Sequence, residues 1–106
     1  MYDTTSRWSV TAAGTDSGAT ATQAAGGANT QHFVTTISGH TDADSIITIK
    51  DGTTIVWQTK VDVSVEGISF SFNGFCIPIS PNATANGVIA TSSSDCQVNI
   101  DGYTRP

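Results

Sequence analysis

IITIKDGTTIVWQT, residues 46 to 59, reads as a β-hairpin, and the rest of the chain can be read outward from it. Two runs rich in β-branched residues flank Asp51-Gly52, and Asp-Gly supplies at low cost the positive φ that both central positions of a type I′ turn require. A turn centred there sets Lys50 opposite Thr53, Ile49 opposite Thr54, Thr48 opposite Ile55, Ile47 opposite Val56 and Ile46 opposite Trp57. Side chains alternate between the two faces of a strand. One face of the ribbon then carries Ile46, Thr48, Ile55 and Trp57, and the other Ile47, Ile49, Thr54 and Val56. Both faces are apolar, so both call for cover.

The segments that follow His32 have the same texture. HFVTTIS (32–38) places Phe33, Thr35 and Ile37 on one side before Gly39 and HTDAD break the run. KVDVSVE (60–66) alternates strictly, with Val61, Val63 and Val65 inward and Asp62, Ser64 and Glu66 outward, and Glu66-Gly67 marks a turn. ISFSFNG (68–74) sets Ile68, Phe70 and Phe72 against Ser69, Ser71 and Asn73. FCIPIS (75–80) is a short run in which Pro78 removes a ladder donor, the mark of an edge strand, a bulge or a strand end. SPNATANG (80–87) is a loop by composition. GVIATSS (87–93) and CQVNIDGY (96–103) close the chain as two strands, with Cys96, Val98 and Ile100 on one face. No long stretch has a helical period. About seven or eight short strands at hairpin spacing predict an all-β, single-domain antiparallel β-sandwich of jelly-roll type.

The N-terminal third differs. Residues 11–31, TAAGTDSGATATQAAGGANTQ, carry no bulky apolar side chain and offer little to a core. The preceding RWSV supplies Trp8 and Val10 for a short edge strand. The expected division is an N-terminal edge strand with a flexible arm or loop over 1–31 and a β-sandwich domain over 32–106. A chain of 106 residues suits one domain with one modest core.

With 12% charged residues and a net charge of -5, the chain has no basic footprint for phosphate backbones or anionic lipid, so neither nucleic acid nor membrane is an expected partner. The opening MYDTTSRWSV lacks the basic-then-apolar order of a secretion signal, and no apolar run approaches the roughly 20 residues of a membrane span, which predicts synthesis in the cytosol. Cys76 and Cys96 have no metal-ligand spacing; they read either as thiols buried in strands or as a cross-strand disulfide formed in an oxidising medium.

No nucleophile elbow, zinc-protease helix, phosphate loop or dinucleotide fingerprint occurs, so no enzymatic activity, catalytic residue, cofactor or metal is expected. His32 and His40 read as structural or solvent-facing. His40, Asp42 and Asp44 bring hard oxygen ligands close together but lack the rest of a calcium loop, and read as a polar turn. Asn82-Ala83-Thr84 matches a glycosylation acceptor by chance. Trp8 and Trp57 are candidates for stacking on a sugar or base, although the place of Trp57 beside Ile46 favours burial. Tyr103 and Arg105, in the closing DGYTRP, are interface candidates, with a plain exposed tail the simpler reading for Arg105.

The apolar surplus on the hairpin predicts self-association, since an identical neighbour is the usual cover for such a surface. Ile47, Ile49, Val56 and Tyr103 are the expected interface of a homodimer or homotrimer. Burying three or four such side chains would contribute on the order of 5 kcal/mol.

Three stretches carry a family resemblance: RWSVTAAGT (7–15), ITIKDGTTIVWQT (47–59) and GVIATSSSDCQVNIDGYT (87–104). With the DG-x-x-x-x-W turn and the V-N-I-x-G-Y strand, the chain resembles small structural proteins of tailed bacteriophages, and among them the capsid decoration, or cement, proteins. The resemblance implies a jelly-roll-like fold and a homo-oligomer bound to the major capsid protein on the outside of the head, assembled in the host cytoplasm. It carries over no catalytic or ligand residue. A protein of this kind binds only the expanded shell and stabilises it by linkage. The N-terminal segment becomes the expected capsid-contacting arm, through Trp8, Thr11, Gly14 and Gly26. Two other classes fit a sandwich: a receptor- or glycan-binding fibre or spike module, with Trp57, Trp8 or Tyr103 lining a groove, and a tail or neck structural protein.

Overall fold

The computed structural model describes residues 6–15, 18–63, 67–91 and 95–106. Eight strands account for most of them: β1 (Ser6–Gly14), β2 (Ala19–Gln23), β3 (Gln31–Thr41), β4 (Ser45–Asp51), β5 (Thr54–Val61), β6 (Ile68–Pro78), β7 (Ala85–Thr91) and β8 (Cys96–Arg105). They form two four-stranded sheets, ordered β1-β8-β3-β6 and β2-β7-β4-β5, with every neighbouring pair antiparallel. The pairings β4/β5, β3/β6, β2/β7 and β1/β8 are nested around one turn, and successive pairs alternate between the sheets. The chain is a long hairpin doubled back at Gly52-Thr53 and rolled into a two-layer sandwich, which is a jelly roll. The stretch 46–59 is its innermost pair.

The register of that pair differs from the sequence reading. Asp51 pairs with Thr54, so the two-residue turn is Gly52-Thr53, and only Gly52 has positive φ (61°), the pattern of a type II′ turn. Beyond it Val56 is an extra residue, a β-bulge between the pairs Lys50–Ile55 and Ile49–Trp57. An unpaired residue flips every side chain after it to the other face. Trp57, Thr59 and Val61 therefore join Ile47 and Ile49 on the inner face. Ile47 and Ile49 are 0% exposed within the single chain, whereas Ile46, Ile55 and Val56 are 44%, 52% and 40% exposed. The expectation that Ile47 and Ile49 form a surface between copies is thus corrected: the opposite sheet covers them, and they belong to a core shared with Ile37, Ile89, Val98 and Ile100.

A second bulge, at Thr35, shifts β3 between Val34 and Thr36. It puts Val34 and Ile37 in the core and Phe33 on the outer face, so the expected grouping of Phe33, Thr35 and Ile37 on one side is also corrected. β6 joins the two runs read separately as ISFSFNG and FCIPIS; Gly74, at φ 83°, lies where its register against β3 shifts. Pro78 is the last residue of this edge strand, where a missing N–H is tolerated. β5 ends at Val61, leaving Val63 beyond the strand, and the expected positions of Ser64, Val65 and Glu66 lie outside the described residues.

The Ala/Gly/Thr-rich N-terminal segment enters the sheets. β1 pairs with β8 along nine residues, from Ser6–Thr104 to Gly14–Cys96, and β2 pairs with β7. The expected flexible arm is corrected accordingly: Trp8, Thr11 and Gly14 lie in an edge strand, and Gly26 in the connection after β2. Small side chains are what this edge accommodates. β1 and β2 pack against each other across the sandwich, with Ala21 1% exposed and Ala12 and Ala19 packed against the core. Gly87 of β7 shows the same closeness between layers, because a Cβ there would fall on the Ile100 methyl of the opposite sheet.

A polar chain locks one end of the core. The Trp8 indole N–H donates to Thr104 Oγ1 (3.0 Å), the Thr104 hydroxyl donates to His32 Nδ1 (2.6 Å), and His32 Nε2–H donates to the Ala24 carbonyl (2.7 Å). For a neutral imidazole this direction follows, since an indole N–H can only donate and a carbonyl can only accept, so that Nε2 carries the ring proton and Nδ1 accepts. The ring of His32 is 2% exposed and meets Trp8 edge-on, with centroids 5.5 Å apart. His32→Ala leaves a cavity where the buried ring stood and frees the Thr104 hydroxyl and the Ala24 carbonyl of their partner, with an expected cost of about 3 kcal/mol, most of it from the cavity. Thermal melting by circular dichroism checks this: an unchanged midpoint would mean that the relay contributes nothing.

Candidate functional site

The outer face of the sheet β1-β8-β3-β6 is where chemically distinctive side chains converge. Strand alternation points Cys96, Val98 and Ile100 of β8 inward, and therefore Gln97, Asn99, Asp101, Tyr103 and Arg105 outward. Register then builds transverse rows. Arg7, Tyr103, Phe33 and Pro78 occupy one; Ser9, Asp101, Thr36 and Asn73 the next; Thr11, Asn99, Ser38 and Ser71 the third. The Thr35 bulge brings Phe33 out beside Tyr103, and its hydroxyl is held by the Asp101 carbonyl at 3.2 Å.

At one end of this face Tyr103 stacks on Phe33, with ring centroids 5.0 Å apart and planes 13° from parallel. The phenol oxygen lies 3.2 Å from Cys76 Sγ on β6. That hydrogen bond, above other causes, raises the phenol pKa above its ordinary value. In the middle Asn99 is fixed on three sides: its Oδ1 accepts from the Ser9 hydroxyl (3.0 Å) and the Thr11 hydroxyl (2.6 Å), and its Nδ2 donates to Asp101 Oδ1 (3.0 Å). A shallow depression beside these groups is lined by Arg7, Trp8, Ser9, Thr35, Asp101 and Gly102. The face thus offers a ring stack, fixed hydroxyls and an amide.

No family model matches the chain, and no curated protein matches it. Among solved structures it is similar to the crystal structure of the CBM36-1 domain of a multidomain xylanase from the hindgut metagenome of Trinervitermes trinervoides. The two share 12% identity over 92% of this chain and 94% of that one, with a TM-score of 0.39.

The residues singled out from the sequence fall in separate places. Tyr103 and Thr11 lie on the outer face just described, whereas Val56 is on the edge strand β5 of the other sheet. Trp57 leans on Phe72 (5.3 Å) and Phe75 (5.0 Å) across the sandwich, whereas Trp8, engaged with Thr104 and His32, also lines the shallow depression beside Ser9 and Asp101. His40 Nε2 lies 3.4 Å from Asp42 Oδ1, while Asp44 accepts the Val63 N–H. Among the described residues no three His, Cys, Asp or Glu side chains are grouped to hold a metal ion. Phe33 and Asn99 escaped the sequence reading. The alternation of β8, with Cys96, Val98 and Ile100 inward, was the available signal for Asn99 and Tyr103, which it sets together on the outer face, whereas Phe33 gave none, because its outward place goes with the Thr35 bulge.

The cysteines take different environments. Cys96 is 4% exposed on the inner face, where burial raises its thiol pKa, and Cys76 is exposed on the outer face. Cys96 lies opposite Thr41 and Cys76 next to Ile77 opposite Val34, toward the other end of β3, and no disulfide joins them.

Proposed function

We propose that the chain is a non-enzymatic bacteriophage virion component, a head decoration protein that binds the major capsid protein of the expanded shell as a homo-oligomer. Its sequence resemblance to cement proteins and its jelly-roll winding support the reading. The observation that carries it is the β5 edge. β5 has a neighbour on one side only, and it exposes Ile55 (52%) and Val56 (40%) in front of the half-buried Trp57. Natural edge strands are blunted by charge, bulges or cover. Here the bulge at Val56 and the exposed Lys60 blunt part of the edge, and Ile55 and Val56 remain apolar at its tip. A second copy supplies the cover, and the assembled surface binds the shell through many weak contacts acting together.

Light scattering on the purified protein, followed by co-sedimentation with expanded and unexpanded heads, tests the proposal. The wild type should run as a dimer or trimer and bind expanded heads alone. Ile55→Lys with Val56→Lys should weaken self-association by about tenfold or more, since each lost apolar contact is worth about 1 kcal/mol. A monomer that binds neither form of head would overturn the reading.

A further inference from the structure

The outer face of the first sheet has a composition that the decoration reading does not require. We propose that it is a saccharide-binding surface, with the Tyr103–Phe33 stack as the platform for a pyranose ring and the Ser9, Thr11 and Asn99 cluster as its hydrogen-bonding rim, and that its ligand is an uncharged glycan.

The platform follows from the reach of Tyr103. β8 and β6 are separated by β3, a distance of about 10 Å between the outer two strands. The Tyr103 hydroxyl, starting from β8, nevertheless meets the Cys76 thiol on β6. The phenol therefore inclines over β3 toward β6 while it stacks on Phe33 with planes only 13° from parallel, and both residues of the stack remain part-exposed. A carbon-rich plane of this kind suits the C–H face of a sugar ring.

The rim suits the hydroxyls. A polyol hydroxyl both donates and accepts, so it is best met by groups that do both. Ser9 and Thr11 each donate to Asn99 Oδ1, which leaves their oxygens oriented as acceptors, and Asn99 Nδ2 keeps one N–H beyond its bond to Asp101. These side chains are held before a ligand arrives, which lowers the ordering cost of binding. Thr36, Ser38, Ser71 and Asn73 extend the polar surface across β3 and β6.

Charge and apolarity argue against other occupants. Around the platform the charged side chains are Arg7, Arg105 and Asp101, which offset one another to within one positive charge, too small a local excess to draw a polyanion to a chain of net charge -5. Among the described residues the apolar side chains of the three outward rows, Phe33, Tyr103 and Pro78, are confined to one row and the other two are wholly polar, a smaller apolar patch than the buried centre of a protein interface. An uncharged polyol complements this balance.

Calorimetric titration with hexamers of glucose, mannose, galactose and N-acetylglucosamine tests the assignment, with a uronate hexamer and single-stranded DNA as polyanions. At least one neutral hexamer should bind and shift the NMR signals of Phe33, Asn99 and Tyr103. Tyr103→Ala should weaken it by about tenfold, and Tyr103→Phe, which keeps the ring and loses the Cys76 contact, by about twofold or less. Asn99→Ala should weaken it while the melting curve stays near that of the wild type. The Ile55→Lys, Val56→Lys protein should bind as the wild type does, so failure of the oligomer reading is read separately. Absence of binding to every neutral hexamer, binding confined to the polyanions, or signal shifts elsewhere on the surface would overturn the proposal.

Discussion

Gly87→Val lowers the melting temperature by more than about 12 °C, or prevents folding, because it forces a side chain into a space that another residue already fills. Gly87 sits in β7, buried, and the position of an added Cβ coincides with the Ile100 methyl of the facing sheet, with Ile37 Cδ1 at 3.4 Å. Overpacking of this kind costs about 3 kcal/mol or more when the neighbours are themselves fixed, and Ile100 and Ile37 are both 0% exposed. The cause can be isolated with smaller changes. Gly87→Ala should destabilise on its own, and combining it with Ile100→Ala should recover about 1 kcal/mol relative to the sum of the separate losses. Denaturant unfolding of the four proteins measures this coupling. Strict additivity would mean that the two layers do not touch at this point.

Trp57→Ala is expected to cost about 3 kcal/mol, the lower end of the range for truncating a large aromatic side chain, because the indole is half-buried. β5 and β6 are edge strands of different sheets, so no backbone ladder closes the sandwich between them. The gap is filled by side chains. Trp57 inclines to Phe72 at 55° and to Phe75 at 60°, and Phe72 continues to Phe70 at 6.0 Å. Tilted pairs of this kind each contribute about 0.5–1.5 kcal/mol beyond their area. The variant should lose near-ultraviolet circular dichroism together with a fall of roughly 10 °C or more in melting midpoint. A loss under about 1 kcal/mol would show that the aromatic cluster contributes little to closing this edge of the sandwich.

Both effects arise at places where the sequence was only half legible. The sandwich itself could be read from strict alternation, as in Cys96, Val98 and Ile100, which lie at 4%, 0% and 0% exposure. The bulges could not be read, because an extra residue looks like any other in a β-rich run. Val56 is the clearest case: its single unpaired position sends Trp57 inward and turns a two-sided greasy ribbon into one with a proper core face. Thr35 does the reverse for Phe33, placing beside Tyr103 a ring that the alternation had assigned to the interior. The N-terminal segment was illegible for another reason. Its lack of bulk looked like an absence of folding information, yet Ala12, Ala19 and Ala21 fit where the two layers converge, and strand pairing draws on the backbone, whatever the side chain.

The nesting of β1 on β8 also governs how the molecule comes into being. β8 lies between β1 and β3, so the sheet they share has no centre until residues 96–105 exist. During synthesis the first strand emerges with its neighbour still untranslated, and it must wait, exposed, for almost the whole chain to follow. Assembly dominated by such distant partners is slow in comparison with local folding. A ribosome that stops short of Cys96 therefore releases a product with one sheet split in two.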